Sequence, residues 1–160
     1  MIAKRLCMAL LLTQALPVWS WMVSIQLMET GIDREISSGD YPLLLESGLM
    51  AALFDAGHIV TSGPVIRISG ENTADLQEYQ QEALYNAVDT GSDYCIFAII
   101  EYTLHAGRVV PVQITLSIYD ARTEQALHTQ VFSVGAGRED EAFRLAQNAG
   151  QSVLRQLRGR

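Results

Sequence analysis

The stretch DYCIFAII at residues 93–100 decides the fold of this chain, because its apolar side chains are continuous rather than alternating. A run of this kind is typical of a β-strand that is buried on both faces. The run VQITLSI at residues 112–118 alternates apolar and polar side chains, which predicts a neighbouring strand with one polar face. The two runs together predict an α/β domain in which helices cover a sheet.

The rest of the chain continues this pattern, with elements in the order β-α-β-α-β-β-β-α. The predicted strands cover residues 23–28, 58–68, 93–104, 111–119 and 124–134, and the predicted helices begin near Asp40, Asn72 and Glu139. The second strand is interrupted at residues 62–64, so it is either one bulged strand or two short ones. We expect a single mixed sheet of about five strands. We also expect two early right-handed crossovers, with both of their helices on one face of the sheet.

The first 20 residues have the layout of a secretory signal peptide. Lys4 and Arg5 supply a positive start, residues 6–16 form a short apolar core, and residues 18–20 fit a cleavage site. The alternative is an uncleaved anchor, because residues 6–25 are about long enough to span a bilayer. We therefore predict an exported protein with one α/β domain over residues 21–160. It would be periplasmic after cleavage, with no stable membrane insertion, or membrane-anchored without cleavage.

The charge of the chain disfavours two classes of partner. The formal net charge is -7, and removal of the two positive charges of Lys4 and Arg5 would bring it to -9 and leave no lysine. Such a surface repels nucleic acid and anionic lipid, so we expect no nucleic-acid partner. Residues 29–101 contain thirteen acids and two arginines. This excess is consistent either with solvated helix faces or with an acidic surface for a basic partner.

The motifs of the chain assign no catalytic, cofactor-binding or metal-binding residue. His58, His105 and His128 fall in separate elements without ligand spacing, and no phosphate loop, nucleophile elbow or zinc-protease motif occurs. Cys95 would be the only thiol of the mature chain, and its place in the buried strand predicts core packing. Glu101 is the one acid that we consider for catalysis, and an exposed strand end is the alternative.

Two short motifs resemble those of a group of bacterial envelope proteins. The segment AVDTGSDY at residues 87–94 leads into the buried strand, and DART at residues 120–123 follows the next strand. In these features the chain resembles the small α/β domain shared by the curli secretion protein CsgG, the penicillin-binding-protein activator LpoB and the N-terminal domain of TolB. Ser92 and Glu124 depart from the alanine and glycine of that pattern. The resemblance implies a cell-envelope accessory domain with no catalytic residues to carry over.

These observations predict a non-enzymatic exported module, without a cofactor, that binds another cell-envelope protein. The acidic segment at residues 71–93 and the loop at residues 30–40 are the expected exposed contacts. A small-molecule-binding periplasmic domain is the alternative, with a pocket beside Tyr102 or Tyr119. A hydrolase that uses Glu101 is the third hypothesis.

Overall fold

The computed structural model describes residues 20–33, 35–68, 73–134 and 139–158. The predicted signal peptide therefore lies, apart from Ser20, outside the described residues. The helices and strands within these ranges are numbered here in chain order. They are β1 (Met22–Thr30), α1 (Tyr41–Asp55), β2 (Ile59–Ser62), β3 (Ile66–Arg67), α2 (Thr73–Asp89), β4 (Tyr94–His105), β5 (Arg108–Asp120), β6 (Ala126–Ser133) and α3 (Glu139–Arg158).

The described strands form one six-stranded sheet in the order β2-β1-β4-β5-β6, with β3 also paired to β1. β1 is parallel to β2, β3 and β4, whereas β4, β5 and β6 form an antiparallel meander. The predicted α/β fold with a mixed sheet is confirmed, and the interrupted second strand proves to be two short ones. At the interruption the Gln26 side chain donates from Nε2 to the Pro64 carbonyl at 2.7 Å. Pro64 itself has no backbone N–H with which to continue the ladder.

The two faces of the sheet bury separate cores, because alternate residues of a strand point to opposite faces. One core joins β1, β4 and β5 to α1 and α3, and the other joins β1 and β4 to α2. The first core includes Ile25, Leu45, Leu49, Leu53, Ile96, Ile114, Ile118, Ala146 and Val153. The second includes Met28, Ala83, Leu84, Ala87, Cys95 and Phe97. β4 is thus the doubly buried strand that its sequence predicted.

The prediction that both crossover helices share one face is wrong, because α1 and α2 pack in the two different cores. From β1 the chain crosses to β2 and β3 on one side of β1, and from β3 it returns past β1 to β4 on the other side. The face that a crossover of fixed hand covers depends on its direction across the sheet. Reversing the direction therefore places the second helix on the opposite face.

Two local details also differ from the sequence prediction. Aspartate is a favoured N-cap residue, so the sequence predicts that Asp40 caps the first helix. Asp40 does precede α1, but its side chain makes no capping hydrogen bond. The helical spacing of apolar residues predicts a buried stripe on α2 that includes Ala83, Leu84, Ala87 and Val88. The first three are buried, whereas Val88 is exposed. Successive residues of a helix are about 100° apart around its axis, so Val88 lies at the margin of the stripe that Ala87 occupies.

Candidate functional site

The candidate site is a pocket of about 400 Å³ at the carboxyl ends of β1 and β3. It lies on the face covered by α1, and the loop between β1 and α1 forms its rim. The lining residues are Glu29, Ser38, Gly39, Pro42, Leu43, Val65 and Arg67. Open α/β sheets bind ligands outside the carboxyl ends of their parallel strands, near the point where the chain changes direction across the sheet. β1 is the strand about which the direction changes here.

An ion pair forms the floor of the pocket. Glu29 and Arg67 are register partners on β1 and β3, and Arg67 Nε donates to Glu29 Oε2 at 2.6 Å. The Glu29 side chain is 1% exposed and that of Arg67 is 33% exposed. The other two guanidinium nitrogens of Arg67 donate to the Ile36 carbonyl at 3.2 Å and to Ser38 Oγ at 3.0 Å. Arg67 therefore ties the rim loop to the sheet.

The opposite end of the rim loop is held by close packing against β4. Gly31 has a φ of +83°, and a Cβ at this position would collide with the Tyr102 carbonyl oxygen. A residue with a side chain would be excluded on both grounds. Ile32, the next residue, is buried. The loop predicted as an exposed contact is thus anchored near each end, with Asp33 and Glu35 at its surface.

Three buried polar atoms beside the pocket have no hydrogen-bond partner in the described part of the chain: Glu29 Oε1, Tyr41 Oη and Tyr102 Oη. The two tyrosine rings meet edge to face, with centroids 6.4 Å apart. Burial, followed by the charge of Glu141, raises the pKa of Tyr41 to about 12. Burial also raises the pKa of Tyr102, and the neighbouring Glu29 carboxylate adds to this shift. Unpaired buried polar groups are costly, so water or another molecule would have to supply the missing partners here.

A second polar cluster lies at the amino ends of the parallel strands. His58 is buried, its ring stacks on Trp21 with centroids 4.6 Å apart, and the Trp21 backbone N–H donates to His58 Nδ1 at 3.3 Å. The Nε2 atom of His58 has no partner among the described residues. Burial lowers the pKa of His58, and the positive charge of Arg158 lowers it further. The imidazole is therefore held neutral, as a packing group with one unpaired nitrogen.

The remaining sequence candidates do not converge on either cluster. Glu101 is exposed and faces Gln113 across the β4–β5 ladder, beside a register shift. Cys95 is fully buried, as predicted, and burial raises the pKa of its thiol to about 12. Tyr119 packs edge-on against Phe97 in the second core, so of the two predicted tyrosines only Tyr102 lies near the pocket. No group of three or more potential metal ligands occurs in the described ranges.

The sequence carried a signal for the pocket that motif reasoning missed. Glu29 directly follows the predicted strand at residues 23–28, and Arg67 lies within the short, otherwise apolar segment at residues 65–68. Charged side chains are rarely buried without a partner of opposite sign. Opposite charges in two predicted neighbouring parallel strands therefore indicate an ion pair between them.

The comparisons with known proteins concern the fold. No protein-family model matches the sequence, and no curated protein sequence is significantly similar to it. A solved PelC dodecamer from Paraburkholderia phytofirmans matches with a TM-score of 0.50 and 13% identity, over 81% of this chain and 84% of that one. TolB from Acinetobacter baumannii (TM-score 0.47, 17% identity) matches over 88% of this chain but only 29% of its own. The LpoB C-terminal domain from Salmonella enterica (0.45, 9%) matches over 82% and 93%.

Two of the proteins named in the sequence resemblance, TolB and LpoB, are thus among the structural neighbours. At these identities the likeness is one of fold. Among the residues that the structure describes, none of the helices is both long and apolar enough to cross a bilayer.

Proposed function

We propose that this chain is an exported, non-enzymatic module that binds another protein of the cell envelope. The observation that carries the proposal is the pre-formed pocket beside the anchored loop, where a buried carboxylate oxygen lacks a partner within the described chain. Export is supported by the signal-like first 20 residues. Protein binding is compatible with the fold, because the PelC structure of similar fold is an assembly of subunits.

The rim of the pocket has the composition of a protein contact. Leu43 is 56% exposed at the start of α1, and it stands beside Pro42 and Val65. An exposed apolar side chain next to polar groups is typical of a protein interface. Ser38, the hydroxyl among these lining residues, accepts a hydrogen bond from Arg67, and the hydrogen bonds of the described residues do not pair it with a histidine or carboxylate that could activate it. The pocket therefore favours binding over covalent catalysis.

Site-specific photo-crosslinking in the producing cells tests the proposal. The predicted mature chain has no lysine, so amine-reactive reagents are unsuitable. A photoreactive residue placed at Leu43 should capture a defined protein, whereas one at Tyr85, 71% exposed on α2 across the sheet, should not. Capture from Tyr85 alone would move the contact to the acidic α2 and contradict the pocket assignment. Absence of adducts from both positions would contradict protein binding altogether.

The partner captured at Leu43 also distinguishes another protein from a second copy of this chain. An adduct of twice the mass of the chain would identify self-association, as in the PelC dodecamer, and would contradict the proposal of a different envelope protein. Mass spectrometry of the adduct gives this answer directly.

A small-molecule-binding domain is the second candidate, and the pocket itself favours it. A volume of about 400 Å³ lies within the range of ligand sites in proteins. A ligand that binds only the folded state raises the melting temperature. A thermal-shift screen of polar metabolites should then give a stabilising compound whose effect disappears in Glu29→Gln. A screen without such a compound would remove this candidate.

A further inference from the structure

The geometry points to the pocket as a receptor for a basic side chain, an arginine or lysine, presented by the partner polypeptide. This inference rests on the proposed protein-binding function and names the chemistry that the partner brings. The head group of the basic side chain would meet Glu29, and its aliphatic stem would lie along the apolar wall. The inference depends on three features of the described residues: an unpaired acceptor, a local excess of acid and an apolar lining.

The unpaired acceptor is Glu29 Oε1. The Glu29 side chain is almost completely buried, and it lines the pocket. Its other oxygen is occupied by Arg67 Nε, so one side of the carboxylate is satisfied and the other is not. A carboxylate oxygen only accepts hydrogen bonds, so the missing group must be a donor. A charged N–H donor gives the strongest such bond.

The Tyr102 hydroxyl is the competing donor within the chain. The Tyr102 hydroxyl lies close enough to Glu29 for the carboxylate to raise the pKa of Tyr102 through its charge and through a side-chain hydrogen bond, although Tyr102 Oη and Glu29 Oε1 do not reach good hydrogen-bond geometry. A cation that approaches Glu29 would therefore compete with the neutral Tyr102 hydroxyl for Glu29 Oε1. The charged group is favoured in this competition, because the carboxylate attracts its full positive charge, whereas the tyrosine hydroxyl is a neutral donor.

The charge around the pocket selects a cation over a neutral donor. Residues 29–46 include the end of β1, the rim loop and the first turns of α1, and they contain five acids and one arginine in the sequence. Arg67 adds one positive charge and leaves the region negative. A field of this sign attracts a basic partner and orients its approach.

Arg67 does not convert the pocket into an anion site. Each of its guanidinium nitrogens already donates to a protein oxygen, on Glu29, Ile36 or Ser38. An anion would have to compete with the buried Glu29 carboxylate for the same cation. Binding an anion would therefore leave Glu29 uncompensated, which is costly in a buried site.

The lining fits the mixed character of a basic side chain. Pro42, Leu43 and Val65 supply an apolar wall beside the carboxylate. Arginine and lysine carry an aliphatic stem that packs on apolar surface while the charged head reaches a polar partner. A small ammonium ion would leave this wall without a contact, whereas a side chain of a polypeptide uses both parts of the pocket.

Peptide titration followed by NMR amide shifts tests the inference on the full chain. The probes are three tetrapeptides, acetyl-Gly-Leu-Xaa-Gly-amide, in which Xaa is arginine, lysine or citrulline. Citrulline has the shape of arginine without its charge. At least one charged peptide should shift the amides of Glu29, Leu43 and Arg67 and should bind at least about tenfold more tightly than the citrulline peptide. Equal binding of all three, or shifts confined to other surfaces, would overturn the inference.

Two variants and a matched control locate the effect. Glu29→Gln and Leu43→Ser should each lower the affinity for the charged peptide by about tenfold. Val131→Thr is the matched control, because Val131 is similarly exposed, at 54%. It lies on the edge strand β6, away from the pocket, so this variant should leave the affinity unchanged. Since Glu29→Gln also weakens the ion pair, its folding is checked by its amide spectrum, and Leu43→Ser provides the independent readout. Equal effects of all three variants would contradict the location.

Tyr102→Phe separates the role of Glu29 from that of the Tyr102 hydroxyl. It removes the competing hydroxyl, so the charged peptide should bind at least as tightly as it binds the wild type. Loss of binding in Tyr102→Phe would assign the contact to the tyrosine and contradict the role of Glu29. If a photoreactive residue in place of Leu43 captures a partner in cells, but the charged peptides bind no more tightly than the citrulline peptide, the proposed function stands and this inference fails.

Discussion

A buried acid with a partly exposed basic partner is the most consequential residue-level feature of this molecule. Glu29 lies near the end of β1, after residues that are buried and mostly apolar, and it pairs with Arg67 on β3. A buried ion pair is by itself weak evidence for stability. What distinguishes this pair is that Arg67 also holds the rim loop through Ile36 and Ser38. The pair therefore organises the pocket, and its removal should disturb both stability and the loop.

Arg67→Met should lower the free energy of unfolding by about 3–5 kcal/mol, because it leaves the buried Glu29 charge without a partner. The double variant Glu29→Gln/Arg67→Met should recover part of this loss, since no charge remains buried. Urea denaturation measures both. Arg122→Met is the control, because the Arg122–Asp93 pair is more exposed and 3.4 Å long, and its loss should cost less than about 1 kcal/mol. Equal losses for Arg67→Met and Arg122→Met would contradict the role assigned to Arg67.

His58 should make stability fall as the medium becomes mildly acidic. Its pKa is lowered in the folded state from the ordinary 6.5, so the unfolded chain takes up the proton first as the pH falls. The free energy of unfolding therefore begins to fall near pH 6.5 and stops falling below the lowered pKa of the folded state. Because only one proton is taken up, the slope cannot exceed about 1.4 kcal/mol per pH unit. Urea denaturation between about pH 7.5 and about pH 5.5 should show a steeper loss in the wild type than in His58→Gln. An identical pH slope in both proteins would show that the imidazole titrates normally.

At the scale of elements, the contact between α1 and α3 depends on residues without bulk. A Cβ on Gly48 would lie 2.5 Å from the Ala146 Cβ and 2.7 Å from the Phe143 carbonyl oxygen, and one on Gly150 would lie 2.5 Å from the Ala52 Cβ. Small residues thus alternate across the crossing, which lets the two helices approach closely. The sequence shows these glycines only as weak points within helical patterns.

Gly48→Ala tests this packing because two effects on stability oppose each other. Alanine favours a helix over glycine by about 1 kcal/mol, whereas overpacking of a tight contact costs about 1–3 kcal/mol. The contact includes the backbone of α3, which cannot move away cheaply, so we expect net destabilisation by about 1–2 kcal/mol in urea denaturation. Ser47→Ala, at the exposed neighbouring position, should be neutral or slightly stabilising. A gain in stability for Gly48→Ala would mean that the two helices have room to separate.

How far the sequence predicts these elements depends on whether a feature is local. The continuous run at residues 93–100 requires burial on both faces wherever it lies, so β4 and buried Cys95 were predictable. The face of α2 depends on which side of β1 receives β4, and no local pattern records this choice. The burial of His58 depends in the same way on a stacking partner 37 positions earlier, Trp21. The pocket could be inferred only by pairing Glu29 with Arg67 across strands.

At the scale of the whole molecule, the residues on both sides of the predicted cleavage site, Ser20 and Trp21, contact the folded domain. Ser20 is exposed and donates from Oγ to the Gly57 carbonyl at 2.9 Å, whereas Trp21 already packs on His58 and Tyr94. Cleavage after Ser20 would therefore leave this aromatic cluster intact, whereas cleavage further along the chain would remove Trp21 from it. The packing therefore favours cleavage after Ser20, which is also the small residue that the sequence places at the cleavage site.

We predict export and cleavage after Ser20, so the intact mass measured after fractionation of the producing cells should correspond to residues 21–160. Ser20→Leu replaces the small residue that the processing site requires, so it should leave an uncleaved chain in the membrane fraction. The substitution removes only an exposed hydrogen bond, and the fold should persist. A wild-type mass that retains residues 1–20 would establish the anchored form instead. The pocket would then lie at the far end of β1 from the attachment, because the chain enters β1 at Met22 and reaches the pocket at Glu29.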